Sequence, residues 1–84
     1  MSEASDPDTQ LFLQVQKGDR AAFDELMRRY ESKVLGLVHR YVGPRAEVED
    51  LAQDVFLKVF RARKSFEPRA RFSTWLYRIT VNLC

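Results

Sequence analysis

Residues 19–44 read DRAAFDELMRRYESKVLGLVHRYVGP, and this stretch decides the fold. Its apolar side chains fall at Phe23, Leu26, Met27, Tyr30, Val34, Leu37, Val38 and Tyr41, spaced mostly by three and four, which keeps one stripe on one side of an α-helix. Asp19 supplies the short side-chain oxygen that an N-cap needs. Gly43-Pro44 supplies the stop, because glycine accepts left-handed backbone angles and proline cannot continue the hydrogen-bond ladder. The stretch predicts one long helix between these two signals.

On its N-terminal side, Asp8 or Thr9 can cap a shorter helix that runs through Leu11, Phe12 and Val15 to Lys17, with Gly18 as its stop. Residues 1–8 are polar and acidic and are expected to lie outside the fold. On its C-terminal side, a third helix is expected from Ala46 or Glu47. Glu47, Glu49 and Asp50 lie near its positive dipole end, and its apolar stripe is Val48, Leu51, Ala52, Val55, Phe56 and Val59. Residues 64–71, KSFEPRAR, break the periodicity and read as a loop. A fourth helix begins between Phe72 and Thr74 and carries Trp75, Leu76, Ile79 and Leu83. The expected architecture is all-α, a compact bundle of about four helices. Residues 80–84, TVNLC, contain no stop signal, so the chain is expected to end within its last helix.

At 84 residues the chain is one domain. A domain of this size buries only roughly 60% of its unfolded surface, which argues against the deep enclosed pockets of large enzymes. Its single cysteine, Cys84, cannot form an internal disulfide, which excludes a disulfide-stapled secreted module. The acidic N-terminus is unlike a signal peptide, and no apolar run approaches the roughly 20 residues of a membrane span. A cytoplasmic protein without membrane insertion is therefore expected.

Catalytic constellations are not visible. His39 has neither a second histidine nor a cysteine close to it in sequence, and the three glycines are scattered rather than gathered into a phosphate loop. Neither an enzyme nor a bound metal or cofactor is expected.

The formal charge of +2 conceals an uneven distribution. Residues 1–60 carry eight basic side chains against eleven acidic ones, a net −3, while residues 61–84 carry six basic ones against Glu67 alone, a net +5. This asymmetry suits a C-terminal third that meets a polyanion, although a solvated basic face has the same arithmetic.

Two surfaces stand out. One is the outer row of the third helix, Asp50, Gln53, Asp54, Leu57 and Arg61, where an exposed leucine among carboxylates and an amide suits docking on a basic partner helix. Ordinary solvent exposure produces the same row. The other surface is the loop and fourth helix, which interleave Phe66, Phe72, Trp75 and Tyr77 with Arg69, Arg71 and Arg78 and with Ser73, Thr74 and Asn82. Rings can stack on unpaired bases, arginines hold phosphates, and an amide reads a base edge. Several of these rings are needed as core in so small a bundle, Trp75 foremost.

The order Gln16-Lys17-Gly18-Asp19 with Ala22-Phe23, then Asp50-Leu51-Ala52-Gln53-Asp54-Val55-Phe56, then Phe72-Ser73-Thr74-Trp75-Leu76-Tyr77-Arg78-Ile79 with Asn82, closely resembles bacterial sigma factors. The resemblance is to conserved region 2 of the extracytoplasmic-function (ECF) group and covers the chain from about Thr9 onward. It implies that the third helix binds the clamp helices of the largest subunit of core RNA polymerase through Asp50, Gln53, Asp54 and Leu57, with Arg61 at the edge. It also implies that the loop and fourth helix recognise and melt the minus-ten promoter element. One base of the non-template strand would then flip into a pocket drawn from Ala62, Phe66, Tyr77, Ile79 and Asn82. Arg69, Arg71 and Arg78 would follow the backbone, with Ser73 and Thr74 beside them.

Pro68 and Ala70 stand where many relatives have Gly and Ser, which implies an altered base preference. An anti-sigma factor and a second, helix-turn-helix domain beyond this chain are further implications of the family. Apart from the resemblance, the residues also permit a small helical interaction adaptor whose basic end binds an acidic protein and no nucleic acid.

Overall fold

The computed structural model describes residues 6–44 and 47–84. Four helices form the bundle: α1 (Pro7–Gln16), α2 (Arg20–Val42), α3 (Val48–Arg61) and α4 (Phe72–Leu83), with a 3-10 turn at Arg63–Ser65 after α3. No strand occurs among the described residues. α2 has 23 residues, which at 1.5 Å per residue span about 34 Å, and it sets the long dimension of a molecule measuring 39 × 25 × 20 Å. The other three helices pack against it.

The signals that bound α2 act as their chemistry requires. The Asp19 carboxylate accepts a hydrogen bond from the Ala22 backbone N–H at 3.0 Å, and Gly43 closes the helix with φ +83°. Gly18, at φ +101°, makes the corresponding break after α1. The start of α1 differs from expectation. Its N-cap is Asp6, whose carboxylate accepts from both the N–H and the hydroxyl of Thr9, and Pro7 occupies the first helical turn. Proline lacks the N–H that would be orphaned there and has its φ already set, so the helix begins before Asp8 and residues 6–8 belong to the fold. Residues 1–5 lie outside the described residues. So does Ala46; α3 takes Glu47 as its N-cap residue.

The core is a single cluster in which Phe12, Leu26, Val34, Val38, Val55, Val59, Phe72 and Leu76 are fully buried. Phe12 lies inside an aromatic group, with its ring centroid 4.6 Å from Phe72, 5.2 Å from Trp75 and 5.3 Å from Phe66. Such offset and edge-on pairs add about 0.5–1.5 kcal/mol each beyond the area they bury. Trp75 is half-buried against this group, in keeping with a mainly structural role.

Periodicity misplaced some members of the stripes. Tyr41 is 58% exposed at the end of α2, and Leu83 is 38% exposed at the end of α4. Thr80 is fully buried instead, its hydroxyl satisfied by donating to the Leu76 carbonyl at 2.9 Å. A threonine that returns its hydrogen bond to the preceding turn presents a methyl group to the core.

Candidate nucleic-acid interface

The segment that joins α3 to α4 is fastened at both ends by α1. At the first end, the Gln16 side-chain amide donates to the carbonyls of Arg63 and Phe66, each at 2.8 Å. At the second, the Thr9 hydroxyl accepts from the Phe72 N–H at 3.0 Å. Arg71, the N-cap residue of α4, makes no side-chain cap bond, so a threonine 63 positions away performs the capping. The 3-10 turn Arg63–Ser65 takes in Lys64 and Ser65, the first two residues of the expected loop, with Ser65 donating to the Ala62 carbonyl from both its N–H (2.9 Å) and its hydroxyl (2.7 Å). What remains free to vary is short: Glu67, Pro68 and Arg69 are exposed, and Ala70 is half-buried.

Phe66 is the clearest correction to the expected site. It is 3% exposed, with its ring edge-on to Phe12 at 5.3 Å and to Trp75 at 5.2 Å. A base cannot stack on this ring without displacing the aromatic cluster, so Phe66 anchors the loop from beneath. The sequence carried a signal for this, because Phe66 is the one large apolar residue in an otherwise polar loop.

The remaining expected nucleic-acid residues divide between two flanks of α4. Residues two apart on a helix point about 200° from each other, which sends Tyr77 and Ile79 to opposite sides. Tyr77 faces α2: its ring centroid is 6.3 Å from Tyr30, and it lines a cleft with Ser32, Lys33 and Gly36. Ser73, one turn earlier, is half-buried on the same side. Ile79 is half-buried and Asn82 exposed on the opposite flank, three residues apart on one face. Ala62, half-buried at the end of α3, is the loop-side candidate. Thr74 and Arg78 are exposed on the outer crest between the flanks. The structure therefore brings neither Phe66 nor Tyr77 onto the surface that carries Ile79 and Asn82.

The arginines lie where a polyanion can reach them. Arg69 is exposed, and its 3.7 Å ion pair with the exposed Glu67 carries little energy in water. Arg71 is exposed at the start of α4 and Arg78 midway along its crest.

The expected row on α3 forms as spaced: Asp50, Gln53, Asp54, Leu57 and Arg61 are all exposed on one face, Leu57 to 52%. A cleft of about 280 Å³ opens beside it, lined by Arg20, Phe23, Gln53, Phe56, Leu57 and Phe60. Its floor is the edge-on pair Phe23–Phe60 at 5.0 Å, and the Arg20 and Arg63 guanidinium groups lie 5.4 and 4.3 Å from the Phe60 ring centre. The half-buried rings and Arg20, which spacing on α3 alone does not reveal, extend the row into a surface with an apolar recess. At the head of α3 the Glu47 carboxyl is held above the usual carboxylate range, chiefly by its hydrogen bond with Asp50.

On the side of α1, the buried end of Tyr30 donates its hydroxyl to Asp8, which also pairs with Arg29 at 2.8 Å. Burial, followed by that hydrogen bond, pushes the Tyr30 phenol above its ordinary range.

Comparison with known proteins gives this geometry a context. Over 75 residues, 89% of its length, the chain is 51% identical to the ECF RNA polymerase sigma-E factor of Escherichia coli K12. Over a stretch of the same length it is 47% identical to RNA polymerase sigma-H factor of Pseudomonas aeruginosa. It spans 39% of the length of each of these relatives. Among solved structures, it is similar to an engineered region 2 of sigmaE determined by NMR in complex with GTAAAA. The TM-score is 0.84 at 51% identity, covering 99% of this chain and 85% of that one. Residues 26–84 match the family model of sigma-70 region 2, and the chain belongs to that family.

Proposed function

We propose that this chain is the promoter-recognition module of an ECF-type sigma factor. In this reading the α3 row Asp50, Gln53, Asp54 and Leu57, with Arg61 at its edge, docks on the clamp helices of core RNA polymerase. The loop and α4 take the non-template strand of the minus-ten element as a single strand. The observation that carries the proposal is the likeness to a sigmaE region 2 bound to GTAAAA, at 51% identity over nearly the whole chain.

The chemistry of the site supports a strand rather than a closed duplex. Ile79 offers apolar contact and Asn82 an amide on one flank of α4, close in sequence to the crest arginine Arg78. A base taken from its stack must regain contacts and hydrogen bonds to offset a few kcal/mol of unstacking, and a half-buried apolar residue beside an exposed amide meets both needs. The module works by binding and has no reaction of its own to catalyse. An anti-sigma partner, implied by the same family reading, would act by covering these faces. The proposed setting is the cytoplasm; no helix among the described residues is long and apolar enough to cross a membrane.

The test is a ternary complex. The α3 row and the α4 crest are separate surfaces, so a clamp-helix fragment and single-stranded GTAAAA should bind this chain together, each with unchanged affinity in the presence of the other. No binding of either the strand or the clamp fragment would instead support the adaptor reading, and strand binding with no preference over a scrambled hexamer would contradict promoter recognition.

A further inference from the structure

The cleft between α2 and α4 is absorbed by neither surface described above. It measures about 480 Å³ and includes Lys33, Gly36, Leu37, Arg40, Tyr77 and Val81 in its lining. That volume lies within the range of small-molecule sites. Ser32 is the one other lining residue, so the lining contains two cations and no carboxylate. Lys33 and Arg40 are seven residues apart on α2, two turns on one face, about 10.5 Å along the axis. The floor between them is Gly36, where a Cβ would meet nothing within 4 Å, and Leu37, which is half-buried. The half-buried ring of Tyr77 forms the opposite wall. Lys33 meanwhile rests its ammonium 5.4 Å from the centre of the Tyr30 ring.

A positive charge at each end of an apolar, ring-walled trough is complementary to one unstacked nucleotide: the base lies against Tyr77 and Leu37, and the phosphates on either side of it meet Lys33 and Arg40. We propose that this cleft is a second base-binding site for single-stranded nucleic acid, on the opposite flank of α4 from Ile79 and Asn82. It rests on the reading of α4 as a strand-binding helix. A strand crossing the crest at Thr74 and Arg78 reaches both flanks, and Tyr77 is partly open on the α2 side to receive it. The charge pattern favours a polyanionic strand over an apolar protein segment, for which the two cations would have no use.

The test uses the 84-residue chain and a single-stranded dodecamer with GTAAAA at its centre and three thymidines on each side, followed by amide NMR. Gly36→Leu fills the trough, and the space around Gly36 together with the better helix propensity of leucine keeps the fold intact. The wild type should show shifts at residues 33–40 and at Tyr77 with the dodecamer. Both those shifts and the several-fold gain in affinity over the bare hexamer should be lost in Gly36→Leu and in the Lys33→Gln, Arg40→Gln double variant. Hexamer binding at Asn82 should persist in all three proteins. Shifts confined to the loop and the Asn82 flank, or a dodecamer affinity that the variants leave unchanged, would overturn the second site while leaving the proposed function standing. An absence of shifts with either strand would remove the proposed function and this site together.

Discussion

Two polar side chains of α1 fix the segment that carries the candidate nucleic-acid interface. Thr9 and Gln16 together hold both ends of the segment between α3 and α4: Thr9 gives the buried Phe72 N–H its acceptor, and Gln16 ties together the part-buried carbonyls of Arg63 and Phe66. Replacing Thr9 with valine keeps its shape but strands the Phe72 N–H, a loss of about 1–3 kcal/mol. Urea unfolding should register this as a lower midpoint with an unchanged slope. Gln16→Met should cost about 1 kcal/mol by the same measurement, because its carbonyl partners are only part-buried and water can replace the amide. Its larger effect should be on strand affinity, since it frees the loop beneath Arg69.

Tyr30 permits a pH test. Its phenol is raised by burial and by Asp8, so above pH about 10 the unfolded chain loses a proton that the folded chain keeps. The stability that Tyr30 contributes is present in full below that pH and is lost as pH rises further. The stability difference between the wild type and Tyr30→Phe should therefore shrink above pH about 10, as followed by unfolding at a series of pH values. A difference that stays constant from pH 8 to 11 would contradict the assignment.

At the scale of elements, α2 and its caps were readable because every signal in it is local: Asp19, the apolar stripe, then Gly43-Pro44. The buried membership of α4 was less readable. Its periodicity put Leu83 in the core, whereas the bundle ends before that residue and closes over Thr80 instead. The site suffered in the same way. Aromatic residues interleaved with arginines pointed to the loop and α4, but composition cannot say which rings the core needs. Phe66 and Trp75 went to the cluster around Phe12, and Tyr77 went to the α2 flank. The roles of Gln16 and Thr9 were not readable, because their partners lie about fifty and sixty residues away.

The α3 row was legible, since a helical face needs only spacing, and it supports a direct prediction. Gln53→Ala and Asp54→Ala are exposed and should leave stability within about 0.5 kcal/mol of wild type. Each should nevertheless weaken binding to a polymerase clamp-helix fragment in calorimetric titration. Unchanged affinity in both would remove the row from the interface. Leu57→Ala should weaken it too, because its side chain borders the apolar cleft built on Phe23 and Phe60.

For the whole molecule, the charge of −3 over residues 1–60 and +5 over residues 61–84 is reflected in the surfaces: Asp50 and Asp54 on the α3 row, with Arg61 at its edge, and Arg69, Arg71 and Arg78 along the loop and α4. Both surfaces are carried by one continuous core, because the helices bury their apolar sides on α2 and leave two separate faces outward. If Arg69, Arg71 and Arg78 each neutralise one phosphate of a single strand, the logarithm of affinity should fall with the logarithm of salt concentration at a slope of about −2. Arg78→Gln should make that slope shallower by about 0.7, a change readable by fluorescence titration across several salt concentrations.

The central claim is that the Asn82 flank of α4 reads a base rather than merely holding charge. The measurement that tests it most directly compares wild type and Asn82→Ala for binding to single-stranded GTAAAA and to a scrambled hexamer of the same composition. Asn82 is exposed, so its replacement leaves the fold intact. The account predicts that Asn82→Ala weakens GTAAAA binding by roughly ten-fold or more, the usual worth of a specific amide–base contact, while binding to the scrambled strand is unchanged. Equal losses on both strands, or no loss on either, would contradict it.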